Sequence, residues 1–242
     1  MGILVVLAVA VAAVCIRLGI WQLDRLEEKR AFNANLAKRL ASPPVPLSAL
    51  PTDTGSAHYR RVIVSGTYDY ANEIVLTSRV REGSPGVNII TPLRRADNDT
   101  AVLVNRGWIY SPDGTTADLQ KWREAPAASG TGYVETFVPR DGAIRSPKHP
   151  RAYRWLDPAA MKDAFPYPLA PYHVVLVQGS SSDSSRSVPP RLGAPRLSEG
   201  AHRSYAIQWF SFAAISIIGM FLFAFRKQSG ERQRARREPD GQ

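Results

Sequence analysis

The chain carries two long apolar runs, one near each end, separated by shorter runs in which apolar and polar positions alternate. The first run covers residues 2–16; Arg17 interrupts it, and LGIWQL carries it on to Leu23. The second, residues 205–225, holds no acidic or basic side chain and has about the length a helix needs to cross a bilayer core. Arg17 can reach toward the headgroups through its long side chain. The pattern predicts two transmembrane helices, 1–23 and 205–225.

After the first run, DRLEEKRAFNANLAKRLA places Phe32, Leu36 and Leu40 at four-residue steps. That spacing predicts a helix over 24–41 that continues the span outward until Ser42-Pro43-Pro44 stops it. Six runs rich in Val, Ile, Thr and Tyr follow: RRVIVSGTY, EIVLTS, GVNIITPL, AVLVNRGWIY, TGYVETFV and YHVVLVQG. Turn-forming residues divide them, and together they predict an antiparallel sheet, closed or folded over. Two helical pieces are expected, 116–122 and 158–165, the second with Asp157 as N-cap and Pro158 at its first position. Residues 178–198, rich in Ser, Pro and Gly, read as a flexible or polyproline connector. The expected fold class is an α+β membrane protein, two transmembrane helices flanking one mainly antiparallel β domain. That domain covers 42–204, outside the cytoplasm.

The net charge of +10 would suit nucleic acid or an anionic membrane surface. Arg226, Lys227, Arg232, Arg234, Arg236 and Arg237 lie directly after the second span, the pattern of a cytoplasmic flank, which argues against a nucleic-acid partner. With 226–242 as a cytoplasmic tail, two spans put both termini in the cytoplasm of a multi-pass cell-membrane protein. A single cysteine, Cys15, excludes an intramolecular disulfide and a Cys-based metal site. His58, His149, His173 and His202 have no metal-ligand spacing among them.

No nucleophile elbow, phosphate loop, dinucleotide fingerprint or His-Glu-x-x-His element is present, so the sequence makes no case for an enzyme. Two places carry candidate chemistry. His202, Tyr205, Gln208 and Trp209 recur at helical steps of three and four at the mouth of the second span. They read either as an interfacial aromatic belt or as a site at the membrane surface, with His202 as ligand or proton carrier. In VLVNRGWIY, Arg106 and Asn105 read as an exposed strand end with Gly107 at a bulge and Trp108 packed. The alternative is Arg106 as an anion partner or interface anchor beside Trp108.

In their order along the chain, LGIWQLDRLEEK, RVIVSGTYD with LTSR, VLVNRGWI, YRWLDPAAM and HRSYAIQWF resemble the Surfeit locus protein 1 family, assembly factors of haem-copper cytochrome c oxidase. The resemblance covers nearly the whole chain; Arg203 departs from it, standing where the family commonly has an apolar residue. It implies a membrane-anchored factor without established enzymatic activity. Bacterial members are associated with haem a and its delivery to the oxidase catalytic subunit. The family histidine maps onto His202, as ligand of the haem iron, with Tyr205 and Trp209 beside it. Arg106 is a candidate partner for a haem propionate, and Gly107 and Trp108 for contacts with oxidase subunits. A reading of another class is a non-catalytic accessory subunit, with Ala213, Ala214, Ser216 and Gly219 packing against oxidase helices and membrane lipids around the rest.

Overall fold

The structure, a computed structural model, describes residues 2–51, 53–140, 144–146, 149–177 and 188–235. In chain order it runs α1 (Gly2–Ala41), β1 (Val45–Pro46), α2 (Thr54–Ala57), β2 (Arg61–Tyr68), β3 (Ile74–Arg81) and β4 (Ser84–Arg94). Then follow β5 (Ala101–Tyr110), β6 (Ala127–Thr136), β7 (Ala152–Tyr153), α3 (Pro158–Lys162), β8 (Leu169–Leu176) and α4 (His202–Ala235). The chain divides into two compact units, one from residues up to Asn35 and from Leu197 onward, the other Leu36–Arg196.

In the first unit, the run 2–23 and the charged stretch after it form one uninterrupted helix, α1. Gly2–Ala41 and His202–Arg226 are the two helices, among the described residues, long and apolar enough to cross a membrane. Along α1 the buried positions Ala12, Cys15, Gln22 and Leu26 step by three, seven and four. On α4, Ala206 and Ala213 are buried. Ser216 Oγ donates to the Ala8 carbonyl at 3.0 Å while His202, earlier on α4, meets Gln22, later on α1, so the two helices run antiparallel. Small side chains along both stripes let the backbones approach, and a Cβ at Gly19 would stand 2.7 Å from the Phe210 ring.

In the second unit a barrel closes. β2 pairs antiparallel with β6, β6 antiparallel with β8, β8 parallel with β5, and β5 antiparallel with β4. The end of β4 returns to β2 through Thr67↔Arg94 and Tyr68↔Leu93. Five strands suffice to close a barrel small enough for side chains to fill. Val62, Val64, Leu93, Val102, Val104, Val134 and Val174 fill it, all at most 1% exposed. Against the outer wall, β3 pairs with the first half of β4, and β7 with β3. There Ile90 and Leu103 meet Tyr153, Leu156, Met161 and Phe165 in a second core.

The sheet is mainly antiparallel as expected, but β5–β8 is parallel, as are the short pairings β1–β2 and β3–β7. Alternation of apolar residues carries no information about direction, and the chain between these strands is long enough for a crossover. Of the expected helix 116–122, only the single 3₁₀ turn Gln120–Trp122 forms. Asp113 caps a turn there instead, accepting from the amides of Thr115 and Thr116, both at 2.9 Å. The second expected helix is shorter, Pro158–Lys162, with Asp157 accepting from the Ala159 and Ala160 amides at its start. The expected connector 178–198 lies outside the described residues over 178–187, as does the tail over 236–242. Where described, the connector is pinned rather than loose: the Trp108 amide donates to the Pro190 carbonyl at 3.0 Å.

Candidate functional site

At the start of α4, His202 stands on the stripe that faces α1. Its ring Nδ1 is 2.8 Å from Oε1 of Gln22. The oxygen can only accept, so Nδ1 donates, and in the neutral form of the ring Nε2 keeps its lone pair. The lead-in is tied down on both sides. Arg30 forks onto Glu199 at 2.9 and 3.0 Å, and Asn33 Nδ2 donates to the Ser198 carbonyl at 3.0 Å. Gly200, at φ +72°, then turns the chain into the helix beside the His202 ring.

The four-residue face expected at this helix mouth splits. Trp209 packs against the cluster of Ala12, Cys15 and Ala213 and meets Phe212 edge-on. Tyr205 is 49% exposed and Gln208 is exposed as well. Two turns separate His202 from Trp209, which nearly restores the angle, whereas Tyr205 and Gln208 fall about 60° and 120° round the helix. The residue that joins His202 is Gln22, which the sequence reading did not single out. Its signal was available, a polar side chain at the apolar three-and-four step of α1.

In the barrel, Arg106 is not an exposed strand end. It is the extra residue of a bulge, since Ile89 pairs with Gly107 and Ile90 with Asn105, and its side chain is fully buried. Every nitrogen of its guanidinium is engaged: Nε donates to Thr91 Oγ1 at 2.8 Å, Nη2 to Glu73 at 2.5 Å, and Nη1 to Glu124 at 2.9 Å and the Trp122 carbonyl at 2.7 Å. Tyr68 and Tyr70 stack near it. Glu124 also takes Arg191 Nη2 at 2.5 Å, and Arg191 Nη1 donates to the Arg106 carbonyl. Two arginines and two glutamates thus form one neutral buried chain. Burial opposes the charge on Arg106, but the charge and hydrogen bond of Glu73 outweigh it and hold the group above its ordinary value.

This geometry corrects the reading of Arg106 as a propionate partner, because an external anion would have to displace Glu73 or Glu124. Gly107 likewise faces inward: its φ is +145°, and a Cβ there would stand 2.5 Å from the Pro190 carbonyl, so it offers no surface to a partner. Trp108 keeps part of its ring accessible in a groove with Trp122 and Pro190, while its indole N–H donates to the Arg79 carbonyl at 3.0 Å. Among the described residues no group of three or more His, Cys, Asp or Glu side chains is placed to hold a metal ion.

The family model described as the SURF1 family matches residues 9–214, from the first turns of α1 to the middle of α4. The chain belongs to the SURF1 family. It is 28% identical to a SURF1-like protein of Monosiga brevicollis, over 95% of this chain and 90% of that protein. Similarity to the Surfeit locus protein 1 of Takifugu rubripes is 27% identity over 81% of this chain and 87% of that one. The cytochrome oxidase assembly protein SHY1 of Saccharomyces cerevisiae is 35% identical over 38% of this chain and 24% of its own length. The SURF1 match includes Gln22, Arg106 and His202, and so spans both the helix-mouth site and the buried charge chain.

Proposed function

We propose that this protein is a membrane-anchored assembly factor of haem-copper cytochrome c oxidase that binds haem a and passes it to the catalytic subunit. The yeast relative is named for cytochrome oxidase assembly, and membership of its family supports the same role here. The observation that carries the haem reading is the His202–Gln22 pair. An imidazole with Nδ1 held by an acceptor and Nε2 free is the form that makes an axial bond to iron, and the held nitrogen fixes its orientation. Haem a supplies an iron that takes such a ligand and an apolar tail that lipid can hold. His202 holds the iron, and Tyr205, exposed at the helix mouth, gives the macrocycle an aromatic flank. The propionates find their cations elsewhere than at Arg106. No bond of the cargo is made or broken, so the role is binding, not catalysis.

The protein sits in the plasma membrane with both termini in the cytoplasm and the barrel outside. The basic residues that follow the apolar part of α4 support that orientation. A reporter active only outside the cytoplasm, inserted near residue 182, is expected to be active; silence there would reverse the topology.

The test of the haem reading is the optical spectrum of protein purified from cells that make haem a, repeated for His202→Ala. Loss of bound haem in the variant supports the ligand role, and an unchanged spectrum removes it. The second reading, a stable accessory subunit, draws on the outer face of α4. Ala213 and Ser216 are used within the helix pair, but Ala214 and Gly219 are exposed, leaving small residues for another helix. Haem-free protein that co-purifies one-to-one with mature oxidase would favour it.

A further inference from the structure

The barrel's outer wall carries a cavity of about 310 Å³ that neither the helix-mouth site nor the buried charge chain uses. Its floor comes from β4, β5, β6 and β8, through Asn88, Asn105, Glu135 and His173, and Arg79 and Trp155 complete it. Seven buried side-chain polar atoms among the described residues have no hydrogen-bond partner, and four of them belong to residues of this one cavity. They are Arg79 Nε, Trp155 Nε1, Asn88 Oδ1 and His173 Nδ1. Asn88 and His173 are 9% and 7% exposed, so bulk water does not satisfy them. An unsatisfied buried polar group costs about 1–3 kcal/mol, and four around one space point to a partner of matching pattern.

The pattern is specific. Arg79 Nη2 already donates to the Arg154 carbonyl at 2.8 Å, which fixes the guanidinium and leaves Nε to donate elsewhere. Trp155 Nε1 is a second donor. His173 Nε2 lies 3.3 Å from Glu135 Oε2, so Nε2 donates there, and in the neutral form of the ring Nδ1 accepts. Asn88 Oδ1 is a second acceptor. Two donors, one of them cationic, call for a carboxylate; two acceptors call for N–H or O–H groups beside it. Glu135 accepts from His173 Nε2, and Arg79 and Arg140 are the cavity's cations.

We propose that this cavity binds a small carboxylate with an adjacent N–H or O–H donor, the chemistry shared by a free hydroxy or amino acid and the C-terminal residue of a peptide. A volume of about 310 Å³ is at the lower end for a ligand pocket and fits a group of that size.

The test is calorimetric titration of the full chain in detergent with lactate, N-acetylglycine, a tripeptide with a free C-terminus and the same tripeptide amidated. Saturable binding of a free-carboxylate probe at roughly 1 mM or tighter is expected, with none for the amidated peptide. Tighter binding of the tripeptide than of lactate assigns the site to a chain end; the reverse assigns it to a small acid. Arg79→Gln and Trp155→Phe each lower the affinity about tenfold, the loss of one hydrogen bond, part of it charge-assisted. Trp155→Phe keeps the ring's bulk, so the test stands even where Arg79→Gln fails to fold. No saturable heat from any free-carboxylate probe, equal binding of the amidated peptide, or unchanged affinity in Trp155→Phe overturns the proposal.

Discussion

Nδ1 of His202 lies 2.8 Å from Oε1 of Gln22, a residue 180 positions earlier in the chain. The pair joins the two apolar helices at the mouth of α4 and sets the tautomer of the one histidine placed there. Gln22 is 9% exposed, so the pair is largely shielded from solvent.

Gln22→Leu removes the acceptor and keeps the volume. If His202 is the axial ligand, its ring is then free to turn and to protonate the wrong nitrogen. Partners that orient a ligating imidazole are worth about 10–100-fold in affinity, and a loss of that size is expected in an optical haem titration. Gln22→Glu keeps an acceptor and is expected to retain binding. Equal affinity of Gln22→Leu and the parent chain would show that the pair serves helix packing alone.

The buried charge chain makes a stability prediction that also separates two roles for Arg106. Arg106→Leu leaves Glu73, 2% exposed, without its cation and is expected to cost about 3–5 kcal/mol in denaturant unfolding. Arg106→Lys recovers little, since an ammonium cannot fork to Glu73, Glu124 and Thr91 together. The double change Glu73→Leu with Arg106→Met is expected to restore most of the loss, because Glu124 keeps Arg191. A propionate-binding Arg106 would behave otherwise: haem content would fall in Arg106→Leu with stability unchanged.

Little of that chain was legible in the sequence. The strand itself was, since VLVNRGWIY reads as a β run, but its arginine looked like a strand end because charged residues are usually exposed. The partners that make burial tolerable are 33, 18 and 85 residues away, at Glu73, Glu124 and Arg191. Local pattern sees apolar spacing, not which side chains a barrel brings together. The same limit hid Gln22 from His202 and left the parallel β5–β8 pairing unread. By contrast Asp157-Pro158 was readable, because an N-cap acts within three residues. Of the helix expected at 116–122 only the turn Gln120–Trp122 forms, and the Trp122 carbonyl at its end goes to Arg106, a partner 16 residues away.

Acid is expected to destabilise the barrel in two steps. Burial holds the His58 imidazole below its ordinary value, against the pull of Glu135. Near pH 6.5 the unfolded chain therefore binds a proton that the folded one refuses, and stability falls as pH drops through that window. Burial alone would raise the Glu135 carboxyl, but the hydrogen bond from His173, with His58 and Arg79 close by, brings it below the usual carboxylate range. Its contribution is complete above the unfolded value and is lost as pH falls through the folded one. His58→Gln should erase the first step and leave the second, read as melting temperature against pH. A variant that keeps both steps would trace the first to another group.

The helix pair can be checked with the chain's only cysteine. Cys15 is buried in the cluster with Ala12 and Ala213, beside Trp209. A cysteine at Ala213 would therefore face Cys15, whereas one at Ala214 would point about 100° away and is exposed in this structure. Mild oxidation or a short bismaleimide applied to membranes carrying Ala213→Cys is expected to give a compact cross-linked monomer on a denaturing gel. Ala214→Cys should give none, and any product it forms should be a dimer that joins two chains. Because α1 and α4 are consecutive in space but separated by the whole barrel in sequence, an intramolecular link at Ala213 fixes the antiparallel register that also brings Gln22 to His202. Cross-linking of Ala214→Cys instead would rotate α4 and take His202 off the stripe that faces α1.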